Sequence, residues 1–283
     1  MKFWKSTSIC FLLILLLLLI GSVHAQMKRE LYKKVKIYDT TFWTSTLYAQ
    51  STTNNLEAHN LNVTIMHSFG LATSNIIQDF FGLDNPPNVR LGFDYGITNR
   101  WEAGIGRSTF SDIVDLRSKY AILQQKSDDS MPISFTLKGD VAVVTQENQK
   151  PLRNDLSSLV SAIFSRRLNG IFDFQVSPMI AHFNDVRSGN IKNIFSIGLG
   201  SQIHLSKRFS LVAEYYPVFG NRNRGTKNSF AIGLDIQTGG HVFQLFFTSS
   251  YWHLEQYILA QNTDQFWSGD FRFGFNINRL FDL

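Results

Sequence analysis

The stretch that decides the fold is FRFGFNINRLFDL at residues 271–283. Large apolar side chains alternate there with polar or small ones: Phe271, Phe273, Phe275 and Ile277 against Arg272, Gly274 and Asn276. Because successive side chains of a strand point to opposite faces, this stretch predicts a strand with one apolar and one polar face. A soluble sheet would bury the apolar face, whereas a membrane barrel would turn it outward to lipid. The rest of the chain has to decide between these two folds.

The start of the chain has the features of a secretory signal peptide. Lys2 and Lys5 precede an unbroken apolar run over residues 9–20, and the small-residue sequence Val-His-Ala ends at Ala25. A basic region, a short apolar region and such an ending predict cleavage between Ala25 and Gln26. The run is short for a transmembrane helix, which leaves an uncleaved anchor as the alternative.

The cysteine count and the net charge argue against several classes of protein. The single cysteine, Cys10, lies at the start of the apolar run rather than at the cleavage point, so a lipid anchor, a disulfide scaffold and thiolate metal sites are not expected. Without Lys2 and Lys5 the formal net charge of +5 falls by two to +3, which does not favour nucleic-acid binding. Because no other long apolar stretch follows, an exported chain in a membrane would have to be a closed barrel.

From residue 56 onward the sequence consists of short alternating segments. In the clearest one, every second residue from Val89 to Ile97 is apolar and the residues between them are polar or glycine. Segments of about 9–11 residues suit a tilted crossing of the hydrocarbon layer. The pattern predicts twelve antiparallel strands, of which the sixth fits either register: 56–67, 88–97, 101–109, 113–125, 131–144, 154–165, 171–182, 193–204, 208–218, 228–237, 240–250 and 270–281.

The connections between these strands tend to be alternately short and long. Short ones are 98–100, 126–130, 167–170, 205–207 and 238–239, longer ones are 146–153, 184–192, 219–227 and 251–269, and 110–112 is the exception. An even strand count with short periplasmic turns and longer extracellular loops is typical of bacterial outer-membrane barrels. We therefore expect both chain ends in the periplasm and the long loops outside.

The polar faces of the predicted strands carry charges of both signs. We expect these side chains to line the lumen: Arg90, Asp94, Glu102, Asp115, Arg117, Lys119, Lys138, Asp140, Asp173, Glu214, Asp235 and Arg272. Glycines on the same face would leave room for long side chains to cross a narrow lumen and pair. The apolar face carries aromatic residues near strand ends, where the interfacial belts of a barrel lie: Tyr95, Trp101, Tyr120 and Tyr215. These features favour an all-β, antiparallel transmembrane barrel over a soluble sandwich.

Five stretches of the chain carry a family pattern. They are TFWTSTLYAQS at 41–51, HSFG at 67–70, FFGLDNPPNVRLGFDYGITNRWEAGIGRS at 80–108, KYAILQQ at 119–125 and TGGHVFQL at 238–245. Together they resemble a family of uncharacterised outer-membrane β-barrel proteins from the Bacteroidota, classified as a domain of unknown function. The resemblance implies a barrel with a short N-terminal segment and a small structured element near residues 76–81, and it implies no activity. The chain departs from the family pattern at Ser68, where an arginine is expected.

The sequence offers no compact catalytic or metal-binding arrangement. A lipid-cleaving barrel enzyme needs a histidine base beside a serine, but His67 and Ser68 are neighbours on a strand and so point to opposite faces. The other histidines of the barrel region have no diagnostic serine at compact spacing: His182, His204, His241 and His253. His59, His67 and Asp94 could approach one another on adjacent strands, yet nothing fixes a metal geometry. No catalytic residue, cofactor or metal ion is predicted.

The sequence predicts a three-part organisation and leaves the function open. We expect a signal peptide at 1–25, an N-terminal periplasmic or plug segment at 26–55 and an outer-membrane barrel at 56–283. The leading hypothesis is a non-enzymatic barrel that acts as a narrow channel for small solutes or as a membrane scaffold. A lipid-modifying hydrolase and a soluble periplasmic β-sandwich binding protein are the alternatives. The expected partners are outer-membrane lipid and, for a channel, small solutes; no nucleic acid is expected and no protein partner is indicated. Since twelve strands lie between small filled barrels and large open ones, the lumen could be plugged or open.

Overall fold

The structure is a computed structural model that describes residues 41–73 and 77–283. The signal peptide predicted at residues 1–25, and the segment predicted at 26–55 as far as residue 40, lie outside the described residues. The described chain forms one antiparallel sheet. Its strands are β1 (Asn60–Ser68), β2 (Asn88–Thr98), β3 (Trp101–Ser108), β4 (Ile113–Leu123), β5 (Ser134–Val144), β6 (Leu156–Leu168), β7 (Phe172–Phe183), β8 (Asn193–His204), β9 (Phe209–Tyr216), β10 (Val218–Phe219), β11 (Ser229–Thr238), β12 (His241–Thr248) and β13 (Arg272–Asp282).

The sheet closes on itself into a barrel. Neighbouring strands pair in antiparallel fashion around the ring, and β13 pairs with β1 to close it. Both β9 and the two-residue β10 pair with β8, so they form one crossing strand that is interrupted at Pro217. The interruption is expected because proline has no N–H to donate to a strand ladder. The barrel therefore has twelve crossing strands, as predicted, and the soluble two-layer sandwich is wrong.

The faces of the strands are arranged as the alternation at the end of the chain predicts. In β13, Arg272 and Asn276 are buried inside the barrel, while Phe273 is partly exposed outside it. Elsewhere the outer face leaves large apolar side chains open to the surroundings, with Leu116 at 59% and Val160 at 58% exposure. A continuous apolar exterior of this kind is unfavourable in water and suits the hydrocarbon layer.

Two details of the strands differ from the sequence-based prediction or complete it. β1 begins at Asn60 rather than at residue 56. In β6, whose register the sequence left open, Ser161 is buried inside and Val160 faces outward. The register there is fixed by pairing with β5 and β7, which local alternation could not show.

The two rims of the barrel carry connections of different length. The short-turn rim has four tight connections, at residues 99–100, 169–171, 205–208 and 239–240, and a longer one at 124–133. The long-loop rim has the others, at 69–87, 109–112, 145–155, 184–192, 217–228 and 249–271. Trp101 and Tyr120 are cross-strand partners close to the short-turn rim, and both are exposed on the outer face, as in an aromatic belt. In the first long loop, the described residues 77–84 form turns where the family resemblance implied a structured element.

Outside the sheet the described residues form few regular elements. There is one α-helix, α1 (Glu255–Gln261), in the last long loop, and there are three short 3₁₀ turns: Phe110–Asp112, Leu152–Asp155 and Phe266–Ser268. Within the described ranges, no helix has both the length and the apolar character needed to cross a membrane. Residues 41–55 form no strand of the sheet, and most of them are buried inside the barrel.

Candidate functional site in the barrel lumen

Residues 41–55 form a hairpin inside the barrel, named here the inner hairpin. Its two arms are joined by an isolated antiparallel bridge between Thr46 and Ser51. Its tip, residues 47–50, reaches the middle of the lumen, and its arms run back toward the short-turn rim. The hairpin therefore fills the half of the lumen on the short-turn side.

A single lysine of the wall holds the base of the inner hairpin. Lys119 on β4 donates from Nζ to three hairpin carbonyls, those of Ser45 at 3.1 Å, Thr52 at 3.1 Å and Asn54 at 2.8 Å. The same ammonium forms an ion pair with Glu102 on β3 at 3.1 Å. Since hydrogen bonds to a charged donor are the stronger kind, this lysine clamps both arms of the hairpin at one point.

The tip of the inner hairpin is also held by its backbone. Glu214 accepts hydrogen bonds from the amides of Ala49 at 3.1 Å and Gln50 at 3.0 Å. On β13, which β11 and β12 separate from β9, Asn276 donates from its side-chain amide to the Tyr48 carbonyl at 3.0 Å. These wall side chains thus bind backbone groups of the hairpin and not its side chains.

A small apolar patch supplements these polar contacts. The ring of Tyr48 stacks on Phe246, with ring centroids 4.3 Å apart. Phe42 and Leu47 are buried in the same cluster with Val212 of the wall. Because the patch is small, most of the hairpin depends on hydrogen bonds for its position.

The helix α1 enters the lumen from the long-loop rim. Six of its seven residues, and Leu254 before it, are buried. They pack on apolar residues of the inner wall, among them Ala142, Leu159, Met179 and Ile194. His253 at the start of this insertion donates from Nε2 to the Asn88 carbonyl at 2.9 Å. Burial lowers the pKa of His253 to about 4, so its imidazole is neutral at pH 7.

The inner hairpin and α1 meet in the middle of the barrel. One carboxylate oxygen of Glu255 accepts the Ser51 amide at 3.3 Å, and the other pairs with Lys138 on β5. Lys138 in turn contacts Asp140 at 2.8 Å. This cluster ties the two insertions to each other and to the wall, so the lumen is plugged from both rims.

The structure places all twelve predicted lumen residues on the inner side of the barrel. Eleven are at most 4% exposed, and the side chain of Arg117 is 10% exposed. Eight of them pair with one another: Arg90 with Asp115 at 2.5 Å, Arg117 with Asp94, Lys119 with Glu102 at 3.1 Å, and Lys138 with Asp140 at 2.8 Å. Three of these four pairs join different strands, and the pair of Lys138 with Asp140 lies within β5. Side chains on one face of neighbouring strands lie close enough to interact across the sheet.

The other four predicted residues have partners that the sequence did not indicate. Asp173 pairs with Arg167 and with His204, at 2.7 Å each. Arg272 pairs with Asp264 at 2.5 Å. Glu214 binds the hairpin tip, and Asp235 accepts a hydrogen bond from Gln244 at 3.2 Å. Asp264 belongs to the last long loop and is remote from any strand pattern. Sequence alternation therefore finds the inward charges but not the residues of other strands and of the last loop that pair with them.

Glycines of the inner wall provide space for the charged side chains. A β-carbon on Gly106 would run into the guanidinium of Arg90, and one on Gly104 would run into the carboxylate of Asp94. β3 has no side chains at these two positions. The ion pairs that join β2 to β4, Arg90 with Asp115 and Asp94 with Arg117, can therefore cross over β3.

The histidines considered for catalysis or metal binding are kept apart. His67 lies on the outer side of β1 and stacks on Phe275, with ring centroids 4.8 Å apart, whereas Asp94 is buried inside. His59 contacts the Tyr95 hydroxyl at 3.1 Å. Within the residues that the structure describes, no group of three or more His, Cys, Asp or Glu side chains could hold a metal ion.

These features define a class: a closed β-barrel with an apolar exterior and a charged lumen that is plugged from both ends. The chain belongs to the family described as a membrane-bound β-barrel domain (DUF5777), which matches residues 42–281. The match begins within the inner hairpin, so nearly all of the hairpin is part of the family domain. No curated protein is similar to the chain in sequence.

Two solved structures have a similar fold. One is the NanC porin, with a TM-score of 0.51 and 14% identity over 79% of this chain and 100% of the porin. The other is the COG4313 outer membrane channel from Pseudomonas putida F1, with a TM-score of 0.53 and 10% identity over 80% of this chain and 97% of that channel. At this identity the likeness shows the barrel fold, which is that of outer-membrane porins and channels.

Proposed function

We propose that the protein is a narrow outer-membrane channel whose lumen is closed by the inner hairpin and α1. A small polar solute crosses when the hairpin moves out of the lumen and α1, no longer tied to it through the contact of Ser51 with Glu255, shifts aside. The observation that carries this proposal is the way the hairpin is held: charged wall residues bind its backbone, and few apolar contacts fix it. Such contacts can be exchanged for water, whereas a hydrophobic core could not be opened at similar cost.

The dimensions of the barrel fit a narrow channel. Twelve strands spaced about 4.8 Å apart and tilted by about 40° give a backbone radius of about 12 Å. Wall side chains such as Arg90 and Arg117 occupy part of that width. Removal of the hairpin, with a shift of α1 toward the long-loop rim, would therefore leave a polar passage for small solutes and not for folded proteins.

The outer membrane is the location that we propose, with export by a cleaved signal peptide. Three features support it: the basic and apolar start of the sequence, the apolar exterior of the barrel, and the alternation of short turns with long loops. The resemblance to barrels of the Bacteroidota supports the same location. The short-turn rim then faces the periplasm, and the inner hairpin enters from that side.

Single-channel recording in planar bilayers tests the channel proposal. The variant replaces residues 42–53 by a glycine–serine linker of equal length, which keeps the chain continuous while removing the hairpin contacts. We expect the unaltered protein to be mostly closed and the variant to show stepwise conductance. Retention of the barrel is checked by its resistance to unfolding in detergent. A correctly assembled variant without conductance would contradict a channel role.

A membrane scaffold is the second candidate. The ion pairs that join Glu255, Lys138 and Asp140 would also make a rigid, filled barrel. A silent hairpin variant with intact assembly would favour it.

We also propose that the protein is not a lipid hydrolase. His182 contacts Asn193 at 2.7 Å, and His204 contacts Asp173 at 2.7 Å. Such contacts can orient an imidazole, but among the described residues neither of these two imidazoles forms a hydrogen bond with a serine hydroxyl. Release of fatty acid from phospholipid or lipid A by the purified protein would overturn this part of the proposal.

A further inference from the structure

A concave cavity lies at the long-loop rim, directly beside the last turn of α1. Its volume is about 410 Å³, within the range of about 300–1,000 Å³ that small-molecule sites have. Four loops, the last of which carries α1, form its walls, which include residues 154–156, 185–187 and 223–224 together with Tyr257 and Gln261. We name this cavity the vestibule.

Two arginines that line the vestibule have no partner among the described residues. Lys150 donates to Asp185 at 2.9 Å, and this hydrogen bond lowers the pKa of Asp185, which stays ionised. The second acid of the wall, Asp155, accepts from Asn148 at 2.9 Å. Two further cations line the cavity, Arg187 and Arg224. Both are exposed, and neither makes an ion pair or a side-chain hydrogen bond with any other residue described.

The rest of the lining suits a small organic molecule. Asn154, Asn190 and Thr263 bring uncharged hydrogen-bonding groups to the wall. Phe183 and Tyr257 contact each other edge to face, with ring centroids 5.6 Å apart, and add an apolar surface to the lining of the cavity. An aromatic surface with surrounding polar groups binds the body of a ligand, while guanidinium groups bind an oxyanion.

From this geometry we propose that the vestibule binds a small organic anion carrying a carboxylate or phosphate group, with Arg187 and Arg224 as its charged contacts. The proposal deepens the proposed function by naming the class of solute. It rests on that function only for the claim that the bound anion then passes through the barrel.

The vestibule is connected to α1 through the loop that carries Arg224. Asn223 donates to the carbonyl of Ala260 at 2.9 Å, and its side-chain oxygen accepts the amide of Ile191 at 2.9 Å. The amide of Lys227 donates to the Asn262 carbonyl at 2.7 Å, just beyond the helix. A ligand that draws the two arginine-bearing loops together therefore acts on the end of α1, the insertion that closes this side of the lumen.

Calorimetric titration of the full mature protein in detergent at low salt tests the site. The probes are glucose 6-phosphate and gluconate, with glucose as the uncharged match. We expect both anions to bind and glucose not to bind. Arg187→Gln with Arg224→Gln should weaken anion binding about 100-fold, or about 10-fold for each arginine, since each loses a charge-assisted hydrogen bond. Arg224→Lys should retain part of the affinity.

The control is Arg208→Gln, which removes an exposed arginine from the short-turn rim and should leave the affinity unchanged. Equal affinity in the double variant, or equal binding of glucose, would overturn the proposal. Lipid A is titrated as a separate arm, because its phosphates offer the same chemistry. If the unaltered protein binds lipid A but neither sugar anion, and the double variant no longer binds lipid A, the arginines bind a lipid headgroup. That result would also overturn the proposal. Anion binding without any conductance would refute the channel and leave the binding site standing.

Discussion

Replacement of Lys119 with methionine should release the inner hairpin and open the barrel. The Lys119 ammonium contacts three carbonyls of the hairpin, the longest at 3.1 Å, and pairs with Glu102 at 3.1 Å. Methionine has a similar length and preserves the packing of the side-chain stem, but it donates no hydrogen bond. The substitution therefore removes the clamp while leaving the volume of the wall nearly constant.

The size of the expected shift follows from the ion pair and the hydrogen bonds that the substitution removes. Removal of one partner of a buried ion pair costs about 3–5 kcal/mol, and each hydrogen bond to a charged group contributes about 1.5–3 kcal/mol. Part of this loss is recovered because the buried ammonium no longer has to be desolvated. A net loss of about 3 kcal/mol in hairpin docking shifts the equilibrium about 100-fold toward the displaced hairpin.

The fraction of time that single channels spend open in planar bilayers measures this shift. Lys207→Met is the matched control, because Lys207 is exposed at the short-turn rim. Lys119→Met with Glu102→Gln also removes the orphaned carboxylate; it should regain barrel stability and still open often. If Lys119→Met assembles normally and opens no more often than Lys207→Met, the clamp does not close the channel.

Three other changes test separate parts of the structure. Leu116→Arg puts a charge on the lipid face at a cost of about 2–4 kcal/mol and should impair assembly in vesicles, while Leu116→Phe should not; equal assembly would reverse the assigned faces. Gly106→Leu should displace the Arg90 side chain and lower the melting temperature more than Gly139→Leu does, since Gly139 has open space beside it. Equal melting temperatures of the two variants would contradict the conclusion that the ion pairs of β2 with β4 cross over β3. Glu255→Gln should speed hydrogen exchange of the α1 amides about 10-fold relative to the unaltered protein, and unchanged exchange would show that Glu255 does not secure the helix.

The strands and their faces could be predicted because a period of two residues is local. The segment from Val89 to Ile97 shows its apolar and polar faces without reference to any neighbour, and the same pattern located the inward charges. The exact end of β9 was missed by two residues, although Pro217 marks it, because the short pairing of β10 resumes beyond the proline.

The filling of the lumen could not be predicted in the same way. The pairing of Arg90 with Asp115 depends on the register of three strands, which no single strand specifies. The helix at Glu255–Gln261 lies in a loop that was expected to be outside, and its buried run of Tyr-Ile-Leu-Ala was the one sequence signal that could have indicated an inserted segment. The hairpin at residues 41–55 has little alternation, and its position depends on wall residues that are distant in the sequence.

One recording decides most directly whether movement of the inner hairpin opens the barrel. The hydroxyls of Thr53 on the inner hairpin and Ser165 on β6 lie 2.5 Å apart, so cysteines at these two positions are placed to form a disulfide, and the sequence has no other cysteine than Cys10. In the Lys119→Met background, single channels of Thr53→Cys/Ser165→Cys should stay closed while oxidised and begin to open in the same membrane after a reductant is added. Openings that continue with the disulfide intact would show that solutes pass by a route the hairpin does not control.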